Sequence, residues 1–214
     1  MNAGSHRAFA IKLCSLMPVH VSSEIGRLRS VLVHLPGPEL LAVTPDTRED
    51  FLYDDIIDLE NAQKEHRRLV AILERFTTVL SVRDLLADVV SIPAARDLLV
   101  RETLDIVPSG PLAREIEART PEKLVEMLIE GEEEEPGPLA RSLNEGGYLL
   151  PPLPNLFFTR DTAMLHHQHV MTGPIRSPAR GSEDLILSLL VLHPPLPPHQ
   201  ATPDAGAAAE PPPP

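Results

Sequence analysis

The chain has 214 residues, with 31 acidic and 19 basic side chains, a formal charge of −12, 24 prolines and a single cysteine, Cys14. That length can bury a sizeable core as one domain or as a domain carrying an insertion. The negative charge argues against nucleic acid or an anionic membrane as the main partner, because phosphate binding needs clustered Lys and Arg. One cysteine excludes an intramolecular disulfide and a Cys-based metal cluster, and no apolar stretch reaches the roughly 20 residues of a membrane helix.

Residues 1–20 read as an N-terminal extension. Ala8 to Met17 is apolar but short, is broken by Lys12, and has no small-residue cleavage site after it. A cytoplasmic location is therefore the default. Ser30 to Leu35 is a buried-strand candidate, stopped by Pro36-Gly37-Pro38. A loop follows through Thr44-Pro45-Asp46 to Tyr53-Asp54-Asp55. Asp58 then caps a helix with Leu59, Ala62, His66, Leu69, Val70 and Leu73 on one face. Phe76 to Val82 is rich in β-branched residues and reads as a second strand.

From Asp84 to Gly131 the period is helical. Leu85, Leu86, Val89 and Val90 suggest one helix, Leu98, Leu99 and Leu104 a second, and Ser109 with Pro111 opens a third. Thr120-Pro121 is an N-cap and first-turn pair for a fourth, which buries Leu124, Val125, Leu128 and Ile129 and ends at Gly131. The acidic run Glu132 to Glu135 reads as a solvated loop rather than a metal site. Gly146-Gly147 turns the chain into the apolar Tyr148-Leu149-Leu150. From Pro194 to Pro214 proline and alanine dominate, a composition expected to be disordered or polyproline-like.

Pro151-Pro152-Leu153-Pro154-Asn155-Leu156-Phe157-Phe158-Thr159-Arg160-Asp161 is the most informative stretch. It sets an amide and a carboxylate on a proline-braced turn. A guanidinium is planar and carries five donors, so an acid held edge-on to it forms a charge-assisted bidentate pair. Asp161 is the candidate for that role, although an Asp after a turn is more often a cap or a turn acid. His166, His167 and His169 invite a metal reading, but strand alternation splits them between two faces and no acid completes a set. His34 and His66 sit on apolar faces and read as packing residues.

This run resembles the signature of arginine deiminases. Val21 to His34 resembles the opening strand region of that family, Leu52-Tyr53-Asp54-Asp55-Ile56 its acidic loop, and Ala62-Gln63-Lys64-Glu65-His66 its first helix. Pro174, Pro178-Ala179-Arg180 and Glu183 keep the family spacing, so the resemblance covers residues 21 to 193. Leu35, where the family has an arginine before Pro-Gly, departs from it.

The resemblance implies an α/β fold, a partial pentein-like α/β propeller with an inserted small helical bundle. Its divisions are residues 21–83 and 147–193 for the propeller, 84–146 for the insertion and 194–214 for the tail. It implies hydrolysis of L-arginine to citrulline and ammonia through a Cys-bound thiouronium, with no cofactor and no metal. Asp161 is then the first guanidinium carboxylate, Asn155 and Phe158 line the substrate, and Arg180 pairs with the substrate carboxylate. A homo-oligomer is open for the intact family.

The family's second carboxylate, catalytic His and late Cys have no counterpart before residue 214. Cys14 precedes the first family block. The chain is therefore expected to be truncated and inactive alone. The alternative from another class is a non-catalytic interaction protein, or a truncated gene product, with a Pro-rich docking tail around Leu196-Pro197-Pro198.

Overall fold

The computed structural model describes residues 10–12, 21–23, 25–106, 110–133, 147–166, 169–172 and 181–192. Cys14, His167, Arg180 and the Pro-rich tail lie outside the described residues.

Strand β2 (Ser30–Val33) pairs in parallel with β3 (Thr78–Ser81), in the register Ser30↔Thr78 to Val33↔Ser81. Parallel neighbours need a crossover, and helix α1 (Leu59–Leu73) supplies it. Asp58 caps α1 through its side chain, which accepts from the Asn61 N–H at 2.7 Å. The helix is amphipathic yet buries no residue fully. Its half-buried side runs through Leu59, Ala62, His66, Val70 and Leu73, whereas Leu69 lies outside that side and is 51% exposed. Phe76, expected to open a strand, is instead in the turn that closes α1 and is 73% exposed. β3 starts two residues later, and Val82, expected at its end, opens the next helix.

Helices α2 (Val82–Val90), α3 (Pro93–Ile106), α4 (Gly110–Ala118) and α5 (Pro121–Glu130) follow in close succession. Ser81 caps α2 and Thr120 caps α5, with Pro121 in the first turn where its missing N–H costs nothing. A further helix, α6 (Gly181–Leu192), packs against α2 and α3. Together these helices enclose a core of Leu86, Leu99, Ile116, Leu124, Met127, Ile129, Ile186 and Leu189, each at most 1% exposed. Burying one such leucine contributes about 1.5–3 kcal/mol.

Two short β-units complete the described fold. β4 (Glu132–Glu133) pairs antiparallel with β5 (Tyr148–Leu150). Part of the acidic run is thus strand rather than loop, and Arg119 holds it there through Glu132 at 2.9 Å. β6 (Ala163–His166) and β7 (His169–Thr172) form a hairpin, and β1 (Ala10–Lys12) adds antiparallel to β7, so the N-terminal extension contributes a strand. The architecture is mixed helix and sheet, with no closed barrel among the described residues. No helix among them is long and apolar enough to cross a membrane.

Candidate functional site

The proline-braced run leaves β5 at Leu150 and winds through consecutive turns. Leu156 N–H donates to Leu153 O, Phe158 N–H to Asn155 O and Asp161 N–H to Phe158 O, all at 3.0–3.1 Å. Leu153 and Leu156, each 1% exposed, point into the helical core and fix the inner side of the run. The end of α5 backs it as well. Leu153 N–H donates to Ile129 O at 2.9 Å, and Gly131 turns the chain at φ +82°, where a Cβ would stand 2.7 Å from Pro152 N.

Two distant segments hold the outer side. Asn155 is 4% exposed and donates its side-chain N–H to Phe51 O at 2.8 Å. The Tyr53 hydroxyl donates to Pro154 O at 2.8 Å. From the other direction, Thr159 Oγ1 donates to Leu32 O in β2 at 3.0 Å. Phe157 and Phe158 stack at 4.0 Å between ring centroids, with Phe158 44% exposed. Asp161 is solvent-exposed on the last of these turns. The structure therefore brings Asn155, Phe158 and Asp161 into one run in which the amide is buried and the ring and acid reach the surface. Arg180 lies outside the described residues.

Leu52, between the two gripping residues Phe51 and Tyr53, has φ +64° and is the one non-glycine residue with positive φ among those described. A leucine held there is strained, and such strain persists only where neighbours over-determine it. Here the neighbours are the bonds on either side, Asn155 to Phe51 O and Tyr53 N–H to Arg48 O. Nothing in a leucine codon-by-codon announces left-handed backbone, so this residue has no signal outside the structure.

Close by, at the end of β2, His34 and Glu39 form a buried pair. His34 Nε2 donates to Glu39 Oε1 at 2.8 Å, and Gly37 N–H donates to the same oxygen at 2.7 Å. His34 is buried as its apolar setting suggests, yet it is a hydrogen-bonding group as well as a packing one. His66 is half-buried, and burial, His34 and then Arg67 hold its imidazole below the usual histidine range. It lines a cleft of about 320 Å³ between α1 and β3, with Arg67, Glu74, Ser81 and Asp84. That cleft contains none of the signature residues, so it is separate from the Asp161 turn. Among the described residues no cluster of His, Cys, Asp and Glu has the makings of a metal site.

The arginine deiminase family profile matches residues 49–206. The chain belongs to the arginine deiminase family. It is similar to the arginine deiminase of Rhodococcus erythropolis, at 33% identity over 194 residues, covering 84% of this chain and 48% of that protein. It is likewise similar to the arginine deiminase of Limosilactobacillus fermentum, at 33% identity over 83% of this chain and 47% of that protein. That of Listeria innocua is 32% identical over the same shares. The chain spans about half the length of the curated relatives it matches. The family match takes in the whole run from Pro151 to Asp161 and the acidic loop that grips it.

Proposed function

We propose that the signature turn is the guanidinium-binding part of an arginine deiminase site. The observation that supports this reading is the support of the turn. The run that carries Asp161 is tied to α5, to β2 and to the Phe51–Tyr53 segment, so an exposed acid stands on backbone with little freedom to move. Such preorganisation is what edge-on recognition of a planar cation demands.

In this reading Asp161 accepts from two N–H groups of the L-arginine guanidinium, and the exposed Phe158 ring covers its aliphatic stem. Asn155 acts from beneath, holding the turn through Phe51 O instead of touching the substrate. Arg180 pairs with the substrate carboxylate. A cysteine thiolate attacks the guanidinium carbon, ammonia leaves with a proton from a histidine, and water then releases citrulline and regenerates the thiol. Cys14, the single cysteine of the 214 residues, precedes the stretch matched by the family. In this reading the nucleophile is a cysteine other than Cys14, and the signature turn supplies the guanidinium-binding part of the site. The parallel β2–α1–β3 unit serves as one module of an α/β propeller, with residues 84–146 inserted into it.

Titration of the chain with L-arginine by calorimetry tests the reading. Saturable binding that Asp161→Asn weakens by about tenfold or more, the usual consequence of removing a charged hydrogen-bond partner, supports it. Binding indifferent to that substitution, or citrulline formation by the chain alone, overturns it.

A further inference from the structure

We infer that His34 and Glu39 are positioning residues for the signature turn. The inference rests on reading that turn as the guanidinium site, but its structural basis is independent of any ligand. Two segments grip the outer side of the turn: β2 through Leu32 O, and the loop behind it through Phe51 O and Tyr53 Oη. The geometry between those two grips is set by the single connection between them. That connection runs from His34 through Pro36-Gly37 and the 3-10 helix Pro38–Ala42 into the turns that end at Tyr53.

Glu39 closes this connection onto the end of β2. One oxygen accepts from both His34 Nε2 and Gly37 N–H, and both residues of the pair are at most 2% exposed. Beyond Glu39 the path stays bonded. Thr47 Oγ1 donates to Ala42 O at 2.6 Å, Arg48 N–H to Thr44 O at 2.9 Å, and Tyr53 N–H to Arg48 O at 2.8 Å. Gln63 Nε2 pins Pro36 O to α1 from outside. Gly37 leaves the space the carboxylate needs, since a Cβ there would stand 2.6 Å from Glu39 Oε2.

Stability alone does not call for this pair. Burying an imidazole and a carboxylate costs desolvation that apolar residues of equal volume avoid. Among the described residues, His34 Nδ1 and Glu39 Oε2 also lack a hydrogen-bond partner. What the pair supplies, and packing does not, is direction: two hydrogen bonds converging on one oxygen set the angle at which the chain leaves β2 toward Phe51.

The test compares Glu39→Leu with Glu39→Gln, in which the side-chain oxygen still accepts both bonds. Amide NMR spectra of the full chain are recorded without ligand, followed by titration with L-arginine. The expected result for Glu39→Leu is displaced amide signals at Asn155, Thr159 and Asp161, with those of Val89 and Leu99 in the helical core unmoved. Its arginine affinity falls by about tenfold or more, as misplacement of a binding group produces, and Glu39→Gln restores both readouts. Unmoved signature amides in Glu39→Leu overturn the inference. If Glu39→Leu does not fold, Gly37→Ala replaces it, because it crowds the carboxylate without removing it, and the same signals decide. Displaced signature amides with no effect on arginine binding uphold the positioning role and instead overturn the reading of the turn as an arginine site.

Discussion

The side-chain amide of Asn155 donates to the backbone carbonyl of Phe51 at 2.8 Å, across 104 residues of sequence. Both residues are buried, so the bond is sheltered from water and neither group has a ready substitute. It makes the signature turn and the acidic-loop segment one piece of structure. Replacing Asn155 with Ala leaves the Phe51 carbonyl without this donor inside the protein, at a cost of about 1–3 kcal/mol. Chemical denaturation should show that loss as a lower midpoint at unchanged slope. An Asn155→Ala variant as stable as the parent would mean that the bond adds nothing.

Leu52 offers a second test of the same segment. A side chain at φ +64° costs about 1–2 kcal/mol in local strain, and glycine removes it. Glycine also gains unfolded-state freedom worth about 0.5–1 kcal/mol. Leu52→Gly is therefore expected to leave stability unchanged or raise it by up to about 1 kcal/mol, because the leucine side chain is 63% exposed and loses little packing. Leu52→Val should go the other way, since a β-branched residue tolerates positive φ least. The ordering Gly, Leu, Val in unfolding midpoint is the measurement, and a reversed order would show that Leu52 is not strained.

How much of this is legible in sequence divides along the range of the interaction. The starts of α1 and α5 are legible because a cap is local: Asp58 reaches Asn61, and Thr120 reaches Lys123, three residues on. β2 is legible as an apolar run cut off by Pro36. The face of α1 is legible only in part, since periodicity places Leu69 inside while its angular position relative to the sheet leaves it outside. α6 lacks a periodic stripe. Its stretch from Leu185 to Leu192 is almost continuously apolar, a pattern that suits a buried strand as well as a helix.

Of the candidate site, the signature and Asp161 are legible as a motif, whereas what steadies them is not. Asn155 to Phe51, Tyr53 to Pro154 and Thr159 to Leu32 are each more than 100 residues apart, and each uses a backbone carbonyl whose residue type is irrelevant. The His34–Glu39 pair spans five residues through a Pro-Gly turn, a spacing that belongs to neither helix nor strand. Both kinds of contact depend on the path of the chain, which composition and period do not encode.

Gly131 joins the helical core to the signature and should be intolerant of substitution. Its φ of +82° with ψ 175° lies in a region that side chains essentially do not enter, worth about 1–3 kcal/mol. A Cβ would also meet Pro152 N at 2.7 Å and Leu150 O at 2.8 Å, both backbone atoms that cannot swing aside. Gly131→Ala is thus expected to cost more than Asn155→Ala in the same denaturation experiment and to shift amide signals from Leu150 to Leu153. A cost below about 1 kcal/mol would contradict the backbone geometry at this position.

His66 sets an acid dependence whose sign follows from its environment. Burial, the neighbouring His34 and Arg67 all disfavour the imidazolium, so the folded chain holds the proton less tightly than the unfolded chain, where the ordinary value is 6.5. As pH falls through that value the unfolded state takes up a proton that the folded state refuses, and stability declines until the lowered folded value is reached. Asp184 has the opposite linkage: burial raises its carboxyl above 3.8, so the folded state gains relative stability as pH falls through the raised value toward 3.8. The two effects separate by window, His66 just below 6.5 and Asp184 nearer the carboxylate range. A His66→Gln variant should therefore lose part of the decline in thermal midpoint below pH 6.5 while keeping the more acidic behaviour. If the midpoint of His66→Gln falls as steeply as that of the parent just below pH 6.5, another group carries the transition.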